Sequence, residues 1–385
     1  MLVSVVPCAG YGEAETERAL AEVLAPLGGL DWVTPGMKVG IKANLVSALP
    51  PEAAATTHPA LLCALVRMLR ARGAEVIVGD SPGGLFTKAY VNRIYAAAGM
   101  KLVEEAGARL NQDFSQREAE FPAARAARHF TYTAWLDGVD ALIDFCKLKS
   151  HGMMGMSAAA KNMFGVIPGI MKPEYHYRFP DIADFSDMIV DLDEYFHPRL
   201  CIADAVTGME GNGPTAGTPR HIGALAASDS PHALDLLCAQ WIGIDPSHVP
   251  TLQAAIRRGL IPDDAAQLTV AGDWAQFCIP DFQLVNQPHS LQFRRDAKGP
   301  LGRFSAQFIA KALASRPQLH ADGCVGCGEC ARICPAKAIA MVQHRPQIDR
   351  RKCIRCFCCQ EFCPKGAMQV HRPAIARLLT RGENK

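Results

Sequence analysis

The sequence predicts an α/β protein: a large domain with a mostly parallel sheet covered by helices, followed by a small α+β domain at the C-terminus. Three observations point there. Strand-like and helix-like patterns alternate through residues 1–295, the 385-residue chain exceeds the ~100 to 200 residues of one domain, and nine of its fifteen cysteines crowd into the last quarter. The expected division is a large domain at 1–295, a linker or docking helix at 296–317, a small domain at 318–375 and a tail at 376–385.

The elements of the large domain can be read in order. LVSVVP at residues 2–7 has the apolar run of a buried strand, residues 14–27 carry helical periodicity, and MKVGIKANL from Met37 reads as a second strand. Next comes a helix expected to be capped by Thr56 or Thr57, with Pro59 in its first turn and Gly73 at its end, and then the strand AEVIVGD. Strands are expected again at DGVDALIDFCKLKS, RLCIADAV and HIGALAAS, the last followed by the helix HALDLLCAQWIG. Such alternation implies parallel strands, whose ligands bind beyond the carboxyl ends.

Four loops after these strands are therefore the places to look for a site. KANLV places Lys42 and Asn44 at the first, and GDSPGG places Asp80 and Ser81 at the second, where glycines let backbone amides approach an anion, although a tight turn explains them equally. The third, residues 147–169, reads KLKSHGMMGMSAAAKNMFGVIPG. Lys147, Lys149, His151, Lys161 and Asn162 stand in it, Lys172 and His176 follow, and no Asp or Glu occurs from Phe145 to Met171. Cationic and donor groups without local acids suit a carboxylate, a phosphate or a developing oxyanion. The abundance of Gly, Ala and Met speaks against a merely exposed basic loop. The fourth, residues 203–221, includes GNGPTAGTP and is expected to be a lid, a phosphate cradle or a long turn. Neither G-x4-G-K-[ST] nor a G-x-G-x-x-G after the first strand is present, so an ATP P-loop and a standard NAD fingerprint are excluded.

Composition narrows the partners. With 49% hydrophobic and 20% charged residues and a net charge of +2, the chain has the balance of a globular protein and no global basic excess for nucleic acid. MLVSVVPCAGYG lacks the positive start and long apolar run of an export signal, and no apolar stretch reaches the ~18 residues of a membrane span. The expectation is a cytoplasmic protein with no nucleic-acid or membrane partner.

CVGCGECARICP at 324–335 and CIRCFCCQEFCP at 353–364 repeat one spacing, C-x2-C-x2-C-x3-C-P, that of bacterial two-cluster ferredoxins. Cysteines at i, i+3 and i+6 can place thiolates on three irons of a cube, leaving the fourth iron for a ligand from the other copy. The crossed arrangement gives one [4Fe-4S] cluster Cys324, Cys327, Cys330 and Cys363, and the other Cys353, Cys356, Cys359 and Cys334. A pair of zinc sites would use two C-x2-C pairs with a longer spacer and would not call for the C-x3-C-P ending. Proline is expected to end each ligand run and start a short helix. Cys358 falls outside the ligand set, and Cys8, Cys63, Cys146, Cys201, Cys238 and Cys278 are expected mostly to be buried small hydrophobes.

KANLV, THP, GDSPGG, the segment 147–169 and DAVTGMEGNGPTAGTPR together resemble the family called domain of unknown function 362, over residues 1 to 290, which often occurs fused to a ferredoxin module such as residues 318–375 resemble. The resemblance implies an iron-sulfur protein of the prokaryotic cytoplasm and names no substrate.

The first expected function is redox catalysis, with two [4Fe-4S] clusters relaying electrons to or from an anionic small molecule. Lys42, Asn44, Asp80, Ser81, Lys147 and Asn162 would bind it, Lys149 and Lys161 would polarise it, and His151 or His176 would supply a proton. An intermediary flavin is compatible, because flavin sites often lack short motifs. The alternatives are an electron-transfer or cluster-assembly protein that docks a redox partner such as a ferredoxin or flavoprotein, and a non-redox enzyme with structural clusters. A closed site beside one cysteine set favours the first; basic residues spread over an open surface favour docking.

Overall fold

The computed structural model describes residues 1–285 and 315–371. Strands and helices alternate first: β1 (Leu2–Pro7), α1 (Glu13–Leu24), β2 (Lys38–Ala43), α2 (Pro59–Ala71), β3 (Glu75–Gly79), α3 (Lys88–Ala97), α4 (Lys101–Glu105) and β4 (Arg109–Leu110). A ribbon of β5 (Gln116–Glu120) and β6 (His129–Thr133) precedes the long strand β7 (Ala141–His151) and its hairpin partner β8 (Gly155–Ser157). Then follow α5 (Ala159–Asn162), α6 (Lys172–Arg178), α7 (Ile182–Phe196), β9 (Leu200–Glu210), β10 (Thr218–Ser228), α8 (Pro231–Trp241), α9 (Pro250–Arg258) and β11 (Thr269–Ala271).

The main sheet runs β11-β1-β10-β9-β7-β2-β3-β4, with β8 beside β7. Its neighbours are parallel except at β10, antiparallel to both β1 and β9, and at β8, antiparallel to β7. The alternation expected from the sequence breaks at β9 and β10 for a simple reason. Residues 211–217 alone join them, too few for a crossover helix, so the chain can only return antiparallel. Most of the fourth expected loop is thus strand, and only its glycine-rich centre is a turn.

β7 is buried along nearly its whole length because helices cover both faces of the sheet. Ile143 and Phe145 pack into the core beneath α1 to α4, while Cys146 and Leu148 pack into the one beneath α8 and α9. Helix α2 is capped by His58, whose Nδ1 accepts from the Ala60 amide at 3.2 Å, rather than by Thr56 or Thr57. Thr57 is turned inward instead: its hydroxyl donates to the Phe145 carbonyl at 2.7 Å and accepts from the Asn44 amide at 2.9 Å, tying β7 to the end of β2.

The C-terminal module contains β12 (Arg316–Leu319), α10 (Glu329–Arg332), β13 (Ile339–Val342), β14 (Arg345–Ile348), α11 (Cys358–Glu361) and β15 (Met368–His371), with β12 paired to β15 and β13 to β14. Each short helix lies before its proline and carries the third cysteine of its copy, Cys330 or Cys359, and turns follow Pro335 and Pro364. The expected order is reversed because the turn after each proline folds back on the fourth cysteine: the amides of Ala338 and Ala367 donate to Cys334 Sγ and Cys363 Sγ, both at 3.2 Å. Of the expected linker helix at 296–317, residues 296–314 lie outside the described residues, as does the tail 376–385, and Arg316 and Pro317 belong to β12.

Candidate functional site

The carboxyl ends of β2, β3 and β7 meet in a buried polar network. Lys42 and Lys149 are each 1% exposed, so both ammonium groups need partners in the interior. Lys42 Nζ lies 2.7 Å from Asp80 Oδ1 and donates to the Ala43 carbonyl at 2.8 Å and to Asn162 Oδ1 at 3.2 Å. Asn162, from α5, also accepts from Asn44 Nδ2 at 2.9 Å and donates to Asp144. Asn44 Oδ1 in turn accepts from Lys149 Nζ at 2.9 Å, and Lys149 also donates to the Ala55 carbonyl at 2.9 Å. Asp80 closes the network through Oδ2, which accepts the Leu45 amide at 2.7 Å. Four of the expected site residues therefore form one scaffold around Lys149: Lys42, Asn44, Asp80 and Asn162.

Lys147 stands apart. Its Nζ donates to Asp204 Oδ2 and to the Tyr11 hydroxyl, both at 2.9 Å, and Tyr11 donates to Asp204 Oδ1 at 3.0 Å. Tyr11 stacks on His58 at 3.5 Å, and the His58 amide also donates to Asp204. This ion pair absorbs the charge of Lys147 and pins β1, α2, β7 and β9 together. Tyr11 and Asp144 escaped the sequence reading because nothing in their own neighbourhood marks them, and His58 was seen only as part of THP; the topology brings all three in from distant strand ends.

The remaining groups form a layer above Lys149. Lys161 Nζ sits 4.4 Å from the centre of the Phe164 ring, and Lys172 Nζ reaches the Ser81 carbonyl. Burial is the largest cause lowering the ammonium pKa of all three lysines, to about 7 for Lys149 and Lys172. Lys149 and Lys172 are the groups here suited to exchange a proton near neutrality.

The histidines are not. His151 Nδ1 accepts from the amides of Met153 and Met154 at 3.1 and 3.3 Å, which fixes the neutral ring with its proton on Nε2. Burial, then Lys161 and Lys149, pushes its imidazolium well below the usual range. His176 stacks on Phe185 at 4.3 Å, and burial followed by Lys161 and Lys172 lowers it to about 3. The expectation that either histidine arrives carrying an extra proton is corrected accordingly: both are neutral at pH 7, and His151 can offer only an Nε2–H hydrogen bond.

The C-terminal module is the roof of this layer. Gln360 Nε2 donates to the carbonyls of Asn212 and Gly213 at 3.1 and 3.0 Å, and the Thr215 hydroxyl donates to the Glu361 carbonyl at 3.0 Å. The turn between β9 and β10 is thus a socket for α11, not a phosphate cradle. The tip of the Phe362 ring comes so close to Gly83 that a Cβ there would lie 2.5 Å from it, and a Cβ on Gly152 would lie 2.8 Å from Val370. Phe357 joins the core that holds Met153, Met154 and Phe164. The Glu361 carboxylate supplies the acid that residues 145–171 lack, since its charge favours the ammonium forms of Lys149, Lys161 and Lys172.

The fold brings cysteines of the two copies toward one another. Cys324, Cys327 and Cys330 line one cleft together with Cys363 from the other copy, a cleft of about 350 Å³ with its open mouth included. Burial, followed by the neighbouring thiols of Cys356, Cys353, Cys334 and Cys330, holds the Cys359 thiol well above its ordinary range. Thiols surrounding a cleft, with one backbone amide already aimed at the sulfur of each fourth cysteine, suit an iron-sulfur cube. Cys358 is fully enclosed, and its thiol is held well above the ordinary range, first by its hydrogen bond with Cys356 and then by burial. Cys8, Cys63, Cys146, Cys201 and Cys238 are buried as expected, but Cys278 is exposed, because the short turn that carries it lies at the surface.

Comparison with known proteins agrees with this division. The family model "Domain of unknown function (DUF362)" matches residues 39–240. The chain belongs to the DUF362 family. A second model, a 4Fe-4S dicluster domain, matches residues 316–364 and makes this DUF362 protein an iron-sulfur protein with a ferredoxin-type, electron-transferring module. It is 32% identical over 274 residues to a thylakoid-associated protein of Synechocystis sp., an alignment covering 69% of this chain and 82% of that one. Among solved structures, the lactate racemase apoprotein from Thermoanaerobacterium thermosaccharolyticum superposes with a TM-score of 0.39 at 11% identity, over 61% of this chain and 55% of that one. A Thermotoga maritima protein gives 0.37 at 14% identity, over 56% and 55%. The DUF362 chain thus spans about half the length of these two structures. Among the described residues, no helix is long and apolar enough to cross a membrane.

Proposed function

We propose that this DUF362 protein is an oxidoreductase whose C-terminal module holds two [4Fe-4S] clusters in the crossed sets, Cys324, Cys327, Cys330 and Cys363, and Cys353, Cys356, Cys359 and Cys334. Clusters bound there supply or accept single electrons. The partner in that exchange is an anionic small molecule bound beneath α11. The observation that carries this reading is that α11, which contains Cys359, forms the roof of the lysine layer, with Glu361 facing Lys149, Lys161 and Lys172.

Each residue then has a role set by its position. Lys161 and Lys172 hold the anion in place of Glu361. Lys149, with a pKa near 7 and a fixed seat on Asn44 and Ala55, donates a proton as negative charge develops. His151 offers Nε2–H, and His176 with Phe185 forms an uncharged wall that keeps water out. Lys42, Asn44, Asp80 and Asn162 position Lys149 rather than touch the ligand. The docking alternative finds less support, because the basic residues are covered by the protein's own module and present no open surface.

The test is re-oxidation. Anaerobically purified protein, reduced with dithionite and freed of excess reductant, is mixed with pooled cell metabolites while the reduced-cluster EPR signal is followed. The signal should decay, and Lys149→Met and Lys161→Ala should slow that decay by about 100-fold at unchanged iron content, the order of loss when one preorganised donor is removed. Decay at the wild-type rate in both variants would refute the site.

A further inference from the structure

The two cysteine sets repeat in sequence but meet the large domain through different residues. In the second copy, Phe357, Gln360 and Phe362 are the residues that anchor the module to the large domain. Their counterparts in the first copy are Gly328, Ala331 and Ile333, and these reach no part of that domain's core. The first set is the more open to solvent at its second cysteine, Cys327, whose counterpart Cys356 is only partly exposed. Cys327 is exposed, and Val325, two residues before it, is 63% exposed at the mouth of the cleft that Cys324, Cys330, Cys363, Met341 and Lys365 also line.

The mouth is apolar at its centre and basic at its rim. Arg345, exposed, donates to the carbonyls of Ala321 and Cys324 at 2.7 and 2.9 Å, and Lys365 lies on the cleft wall. Residues 315–371 carry nine Lys and Arg against four Asp and Glu, and the acids are largely engaged elsewhere. Among the described residues, Glu329 lies on the cleft wall but is paired with Arg332, Asp322 is near the mouth, Asp349 accepts the Arg351 amide, and Glu361 faces the large domain. An apolar centre with a charged rim is the anatomy of a protein interface, and small interfaces of this kind serve transient redox encounters.

We propose that this cleft is the docking face for an acidic one-electron carrier protein, and that electrons cross it between that carrier and the first cysteine set. The proposal rests on the reading of the module as an electron relay and adds the side on which the relay meets its partner. The step balances simply. Cys324, Cys327, Cys330 and Cys363 would hold an iron-sulfur group there, which would take one electron from the carrier and oxidise it, with no proton moved and no covalent bond changed.

The experiment uses the holoprotein, with a reduced acidic plant-type [2Fe-2S] ferredoxin as the probe carrier in stopped-flow absorbance. The rate of electron transfer should fall as salt rises, and Lys365→Glu should lower it by about tenfold at low salt, since a rim charge acts mainly on the encounter rate. Lys365→Arg should keep the wild-type rate, and dithionite should reduce all three proteins alike. A Lys365→Glu rate equal to wild type, a rate indifferent to salt, or no reduction by the carrier where dithionite succeeds would each overturn the proposal. So would binding to anionic phosphatidylglycerol vesicles that is lost in Lys365→Glu while its carrier rate is unchanged, which would assign the face to a lipid surface. None of these readouts involves the lysine site, so failure here and failure of the re-oxidation test are separable.

Discussion

Asp80→Ala is expected to cost about 3 to 5 kcal/mol of folding stability, the usual consequence of stripping one partner from a buried ion pair. Asp80 and Lys42 lie 2.7 Å apart with side chains 5% and 1% exposed, so the deletion strips a buried ammonium of its ion-pair partner and leaves Asp144, whose own carboxyl is pushed up to about 8 by burial, as the nearby acid. It also takes the acceptor from the Leu45 amide. The remaining partners of Lys42, the Ala43 carbonyl and Asn162, are neutral and cannot compensate. Replacing both members, Lys42→Met with Asp80→Leu, should recover most of the loss because neither charge is then stranded. Chemical denaturation of the three proteins decides it. A single variant within about 1 kcal/mol of wild type, the value of an exposed pair, would mean that water reaches Lys42 and that the network is not the closed scaffold described.

Cys363→Ser is expected to remove the cluster associated with the opposite end of the module's sequence. Cys363 belongs to the second repeat, yet it lines the cleft of Cys324, Cys327 and Cys330. The variant should therefore fall from about eight irons per chain to about four, following from four per cube. The surviving EPR signal should be that of the set built on Cys353, Cys356 and Cys359, and Cys334→Ser should leave the other. If each substitution abolished the cluster of its own repeat, the sets would be uncrossed. The inward copy also holds the module on the large domain, so Cys334→Ser should cost more thermal stability than Cys363→Ser.

Much of this was legible before the fold was known. The cysteine spacing is local, so the ligand candidates and the module could be read directly, and the acid-free run from Phe145 to Met171 marked a buried cationic segment correctly. Three things escaped because they are set by distance along the chain. Lys147 looks like Lys149 in sequence, yet Asp204 and Tyr11 neutralise it from β9 and the loop after β1. The histidines looked like proton donors, and only their burial beside lysines and the turn of Met153 and Met154 onto His151 show that they are neutral. Gln360, Glu361 and Phe362 sat among ligand cysteines and read as ferredoxin residues, whereas they form the roof of the site. Nothing in a repeat reveals which copy will face inward.

Whether the inward cysteine set serves the lysine layer is tested most directly by an EPR-monitored redox titration at pH 6.5 of wild type, Lys161→Gln and Glu361→Gln. A positive charge beside a cluster favours its more negative, reduced form. Removing Lys161 should therefore lower the potential of one of the two clusters and leave the other in place, and removing Glu361 should raise that same potential. Two potentials that move together, or that do not move at all in either variant, would contradict the placement of the inward cysteine set beside the site.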